Sequence, residues 1–226
     1  VAGTYEEENN SAVNPYSVDL GQDVEYDWHV EHNGATQLSD YCFRMIHSNN
    51  DLLDGYNNYP VVRTTGYTPV NANWRWFNDA TSTTPSSPLA SENVAPTDLV
   101  AGNEIKLRVV VSEVEGAPSS NLKFGLQYSQ FPDFLDGGTP LHSTTTCNAS
   151  STWCYVDAAG DDGDIIDSSI ISGADSCIAQ VGDGCGTRNE ADNTTSSLTQ
   201  SSLSNMEFEF AIEHRAARVG GVYYFR

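Results

Sequence analysis

Lysine is almost absent from this chain. There are two, Lys106 and Lys123, among 226 residues, and ten Lys plus Arg face 31 Asp plus Glu. The formal charge of −21 repels phosphate backbones and argues against a nucleic-acid partner. No apolar run approaches the ~18 residues of a membrane helix, so no membrane span is expected. No signal-peptide pattern is visible. Gly-x-Ser-x-Gly, His-Glu-x-x-His and phosphate-loop patterns are all missing. Glu25 and Asp27 could suggest paired glycosidase carboxylates. They alternate with apolar residues, which is the ordinary polar face of a strand. His32 and His214 each follow a Glu, and a strand-end structural role suits them better than catalysis. No enzyme is expected. Long amphipathic helical periodicity is lacking as well.

Aromatic residues are plentiful: 11 Tyr, 8 Phe and 4 Trp, within 38% hydrophobic content. That is enough for a real core. The acidic excess reads as a solvated surface, with carboxylate oxygens to spare for a hard cation.

Five cysteines occur, and four lie in two short rings, Cys147 to Cys154 and Cys177 to Cys185. Both rings sit in Asn, Asp, Gly, Ser and Thr-rich segments, where little else would hold the backbone. Local disulfides suit them and imply an oxidising compartment. A four-cysteine zinc site is the competing reading, although the spacing is not that of zinc knuckles. Cys42, in an aromatic segment, reads as a small buried thiol. Sequons at Asn9, Asn148 and Asn193 are compatible with glycosylation of an exported protein.

The chain repeats itself. Residues 23–44 (DVEYDWHVEHNGATQLSDYCFR) lie over 205–226 (NMEFEFAIEHRAARVGGVYYFR), a displacement of 182, with seven identities in 22 positions and no gap. With one residue of slack upstream, TYEEENN (4–10) matches TRNEADN (187–193). The repeat settles local structure. FAIEHRAARV could be helical alone, but its counterpart carries Asn33-Gly34, a turn signal. Val24, Tyr26, Trp28 and Val30 alternate with Glu25, Asp27, His29 and Glu31. Met206, Phe208, Phe210 and Ile212 do the same against Glu207, Glu209, Ala211 and Glu213. Period two with one apolar face predicts a half-buried antiparallel strand in each copy.

NWRWF (73–77), EIKLRVVVSEV (104–114) and NLKFGLQYS (121–129) read as further strands between turn-rich segments. Ile105, Leu107, Val109 and Val111 face inward in the second; Leu122, Phe124, Leu126 and Tyr128 do so in the third. Trp74 and Trp76 share one face, opposite Phe77. They read as core, with sugar stacking as the rival. The expected fold class is all-β, an antiparallel sandwich or barrel.

Tyr41-Cys42-Phe43-Arg44 resembles the penultimate strand of immunoglobulin-like and fibronectin-III-like sandwiches, where a turn and one last strand follow. Here that strand would be YNNYPVVRT (56–64). The second copy, VYYFR, reaches Arg226 without it. The wording TYEEENN, YCFRM, NWRWF, NLKFGLQYS, STTTCNASSTWCYVD, GADSC, VGDGCGTRNE and FEFAIEHRAARVGGVYYFR resembles tandem modules of very large surface proteins in uncultivated bacterial lineages. That resemblance covers nearly the whole chain. It implies export, a surface or fibrous location, and no enzymatic activity.

The expected organisation is therefore the end of one sandwich, or a strand-donor segment, over 1–66. A second, larger sandwich over 67–226 would lack its final strand. Asp157, Asp161, Asp162, Asp164 and Asp167 crowd a glycine-containing loop and are candidate calcium ligands, with a solvated acidic turn as the alternative. EEENN and NEADN are lesser candidates. The functional expectation is a structural subunit of an extracellular filament, pilus-like fibre or surface layer. Its partners would be copies of itself or neighbouring repeats. An adhesin or carbohydrate-binding surface module is the alternative.

Overall fold

The computed structural model describes residues 2–6, 19–47, 49–78, 81–157, 160–192, 195 and 197–226. Among these the protein is all-β, and none forms a helix. Among the described residues no helix is long and apolar enough to cross a membrane. The chain divides into two compact units, Val1–Thr65 and Gly66–Arg226.

The described residues of the first unit form four short strands: β1 (Ala2–Glu6), β2 (Glu25–Trp28), β3 (Asp40–Cys42) and β4 (Val61–Arg63). β1 and β2 pair in parallel, with Ala2 opposite Glu25, Tyr5 opposite Asp27 and Glu6 opposite Trp28. β3 and β4 pair antiparallel, with Tyr41 opposite Val62. The last strand anticipated after Tyr41-Cys42-Phe43-Arg44 is thus present, as Val61–Arg63. Asn33-Gly34 makes the anticipated turn, and Gly34 takes a φ of 79°.

The second unit is built on three long strands. β5 (Pro69–Phe77), β6 (Glu104–Glu113) and β13 (Asn205–His214) lie side by side in a five-stranded sheet, with β6 between the other two and β5 at one edge. β6 and β13 are antiparallel over nine residue pairs, from Asn205 opposite Ser112 to Glu213 opposite Glu104. The far edge of β13 is shared. β11 (Cys185–Asn189) runs parallel to its first half, and β10 (Trp153–Tyr155) antiparallel to its second. Smaller sheets join β7 (Ser119–Leu122) to β12 (Leu198–Gln200), and β14 (Tyr224–Phe225) to β8 (Gln127–Ser129) and β9 (Thr139–Pro140).

One face of the main sheet carries the apolar core. Ile105, Leu107, Val109, Val111, Met206, Phe208, Phe210 and Ile212 line it, as the period-two reading expects. Leu126, Leu141 and Trp153 are buried with them, and Tyr223 and Phe225 pack against the cluster. Trp76 belongs to this core with Trp74 against it, while Phe77 packs on the opposite face with Val110 and Ile171. Both short cysteine rings are closed disulfides, Cys147–Cys154 and Cys177–Cys185, which leaves no four-thiolate zinc set. Each closes a loop of about eight residues, worth roughly 2–3 kcal/mol in the chain-entropy account.

Four expectations need correction. β13 is not half-buried: its acidic face is covered too, and Glu207 and Glu209 have no solvent exposure. Pairing is not wholly antiparallel, since β1–β2 and β11–β13 are parallel. NLKFGLQYS is two strands in two sheets, β7 and β8, separated by Lys123–Leu126. Cys42 is exposed, and among the described residues its strand pairs only with the short, exposed β4.

Candidate functional site

The two copies of the repeat can be compared strand by strand. In the first, β1 meets β2 at 2–25, 5–27 and 6–28; in the second, β11 meets β13 at 185–207, 188–209 and 189–210. Adding 183 to the β1 numbers and 182 to the β2 numbers turns one register into the other. Both ladders also carry a register shift at the same place, between Ala2 and Tyr5 and between Cys185 and Arg188. A glycine sits in each shift, Gly3 and Gly186. A Cβ on Gly186 would lie 2.1 Å from the Glu207 carbonyl oxygen, so the close approach of the two backbones requires glycine there.

At the other end of the repeat the copies part company. Phe43 donates its N–H to Pro60 O (2.9 Å), and Thr64 donates to Ser39 O (3.1 Å). Residues 39, 41 and 43 therefore turn their backbone groups toward β4. Their counterparts are Gly221, Tyr223 and Phe225. On β14, Arg226 and Gln127 exchange both backbone bonds, at 2.9 and 3.0 Å. Antiparallel alternation then points Tyr224 and Arg226 at β8, and Tyr223 and Phe225 away from it. Among the described residues, no strand covers that outward edge. β14 is nevertheless firmly seated. Phe225 packs edge-on to Trp76 (5.3 Å between centroids) and Trp153 (5.0 Å), and Tyr223 packs on Trp153 (5.6 Å). Arg226 donates to Gly137 O (3.0 Å) and lies 4.4 Å over the Phe134 ring.

The buried side of β13 is electrostatic. Lys106 Nζ donates to Glu209 Oε1 (2.6 Å) and Ser82 O (3.0 Å), and lies 3.2 Å from Glu190 Oε1. Arg108 bridges Glu209 through Nε and Glu207 through a terminal nitrogen at 2.9 Å. Arg188 reaches Asp161 (3.0 Å) and Asp167 (2.8 Å). Burial pushes the Glu207 carboxyl up, against Arg108 and the Ile170 and Ile171 N–H donors at 2.8 and 2.9 Å. Asp167 is also opposed by burial, but the Arg188 guanidinium holds it below its usual range. Glu113 shows the clearest case. Burial opposes its charge, yet the N–H groups of Leu203, Glu115, Gly116 and Thr68 outweigh that and hold its carboxyl at about 2. Tyr67, desolvated and close to Glu113, is raised to about 12.

The acidic loop is partly spent on this network. Asp161 and Asp167 face Arg188, and Asp162 Oδ1 accepts the Glu190 and Ala191 N–H groups at 2.7 and 3.0 Å. Asp157 and Asp164 are exposed. No group of three or more His, Cys, Asp or Glu side chains converges as a metal site among the described residues. Of the lesser candidates, residues 7–10 and Asn193 lie outside the described residues, while Glu190 pairs with Lys106. The sequon Asn148 is exposed, whereas Asn9 and Asn193 fall outside the described residues. His214 Nε2 lies 3.3 Å from Leu99 O and its ring packs on Trp153 at 5.3 Å.

No protein-family profile matches the chain, and no curated protein or solved structure matches it either.

Proposed function

We propose that this chain is a structural repeat of an extracellular filament, pilus-like fibre or surface layer. Its sandwiches are completed strand by strand, in tandem along one chain or between copies. The observation that supports this reading is the outward edge of β14 at Tyr223 and Phe225, whose first-copy counterpart is covered by β4. An uncovered strand edge recruits another strand. The two disulfides suit an oxidising, extracellular setting. The adhesin or carbohydrate-binding reading leaned on Trp74 and Trp76, and Trp76 is buried at 6% exposure. Nothing specific favours it.

The test is to append a second copy of Met45–Thr65 after Arg226. The added strand should pair as in the first copy, raise the melting temperature and protect the Tyr223 and Phe225 amides from hydrogen exchange. An unchanged melting temperature and unprotected amides would overturn strand completion. Electron microscopy of native material should show rods or sheets. Calcium at Asp157, Asp161, Asp162, Asp164 and Asp167 and glycans on Asn9, Asn148 and Asn193 belong to the same reading as reinforcement. A melting temperature indifferent to chelator removes calcium from it.

A further inference from the structure

β2 presents a surface whose occupant can be read from the second copy. We propose that Glu25 and Asp27, with the apolar row Tyr26, Trp28 and Val30, are the docking site for an antiparallel strand of alternating aliphatic and basic residues. Such a strand has the chemistry of Ile105–Val111 and belongs to another repeat of this kind. The inference rests on the reading of the chain as a repeat that completes its neighbours, and it names what one face accepts.

The shared register makes Glu25 the counterpart of Glu207 and Asp27 the counterpart of Glu209. In the second copy those two carboxylates hold Arg108 at 2.9 Å and Lys106 at 2.6 Å, both from β6. The apolar counterparts Phe208, Phe210 and Ile212 lie in the core formed with the same strand. In the first copy the side chains are in place, and among the described residues no such strand lies beside them. Among the described residues β2 pairs with β1 alone, and Glu25 and Asp27 are exposed. Trp28 is 38% exposed and Val30 65%, against 2% for Phe210 and 0% for Ile212.

The charge of the occupant follows. Val1–Thr65 contains no lysine and two arginines, Arg44 and Arg63. Arg63 already lies 3.7 Å from Asp40. Among the described residues neither Glu25 nor Asp27 forms an ion pair, and both are exposed, so the incoming strand must bring the cations. An acidic strand would meet like charge at both positions, which excludes most of this chain's own surface. The unit's own sister strand is not the donor, since β6 is engaged by both β5 and β13. The register is also specified. The position of Arg108 falls opposite Asp27, that of Val110 opposite Glu25, and that of Lys106 opposite His29.

The test uses the full chain and a synthetic peptide of residues 103–113, NEIKLRVVVSE. The peptide should bind with a blue shift of Trp28 emission, which Trp28→Phe removes. Glu25→Lys with Asp27→Lys should weaken binding by about tenfold or more, and by less at high salt. A peptide carrying Lys106→Glu and Arg108→Glu should fail on the native chain and recover on the doubly substituted one. Absent binding, equal binding to native and Lys-substituted chains, or no recovery in the swap would overturn the inference. If the appended Met45–Thr65 strand stabilises the chain while this peptide fails, the repeat reading stands and this site falls. If neither works, both fall.

Discussion

Residues 25–28 and 207–210 carry the same alternation and pair with the same parallel neighbour in the same register. One strand is largely open, and the other is closed on both faces. The difference does not lie in the strands. It lies in what is packed around them: β6 runs beside β13 with Lys106, Arg108 and the aliphatic row, Ser168, Ile170 and Ile171 close the acidic side, and Leu126, Leu141 and Trp153 close the apolar side. A strand's pattern states what it can bury; whether it is buried depends on what is supplied around it.

The sharpest way to break the comparison is at the matched acids. Glu209→Ala removes the carboxylate shared by Lys106 and Arg108 and leaves each buried cation with one carboxylate fewer, Glu190 alone for Lys106 and Glu207 alone for Arg108, costing about 3 kcal/mol. Asp27→Ala, at the exposed counterpart, should stay within about 0.5 kcal/mol. Urea unfolding curves of the two variants measure both. The disulfide comes next. Cys185 corresponds to Ala2, so the staple belongs to the second copy alone. Cys177→Ala with Cys185→Ala makes that corner resemble the first copy and should cost roughly 2–3 kcal/mol in a thermal melt. Gly186→Ala should cost about 1–3 kcal/mol through backbone contact with Glu207. Retained stability in that variant would show that the ladder can open at the shift.

The smallest expected effect appears only in acid. The Glu113 carboxyl sits at about 2 in the fold against an ordinary 4.5, so its ionised form favours folding. That contribution is complete above 4.5 and is lost as the pH falls through 2. Glu113→Gln should flatten the fall of stability across this window. A parallel fall in both proteins would assign acid lability elsewhere.

Much of the fold was legible because alternation is a local signal. The strands at 73–77, 104–113 and 205–214 and their core faces follow from period two and turn chemistry, whereas the strand expected over 56–64, which forms at Val61–Arg63, came from the resemblance to immunoglobulin-like sandwiches. The ionic layer was not legible in that way. Glu207 and Glu209 alternate with Phe208 and Phe210, which is also how a solvent-facing strand reads. One signal was available. In a chain with two lysines, Lys106 and Arg108 alternate on a strand whose neighbour alternates acids, so the scarce cations mark a covered face. The parallel β11–β13 pairing was not legible, because local pattern does not choose partners across a 15-residue connection between Asn189 and Asn205 that itself holds β12. Gly3 and Gly186, aligned by the repeat, were the overlooked clue to it. The repeat pointed to an unpaired edge at β14, but which backbone groups that edge bares depends on the bond parity with β8.

The parallel ladder has a mechanical consequence. Tension applied at Cys185 and His214 pulls β11 and β13 from opposite ends, so their bonds are loaded together in shear. A hairpin pulled at its open end gives up its bonds singly. The Cys177–Cys185 link also lets load bypass the segment 177–185 rather than stretch it. The one motif that both copies keep in register is thus the one arranged to hold when the chain is pulled.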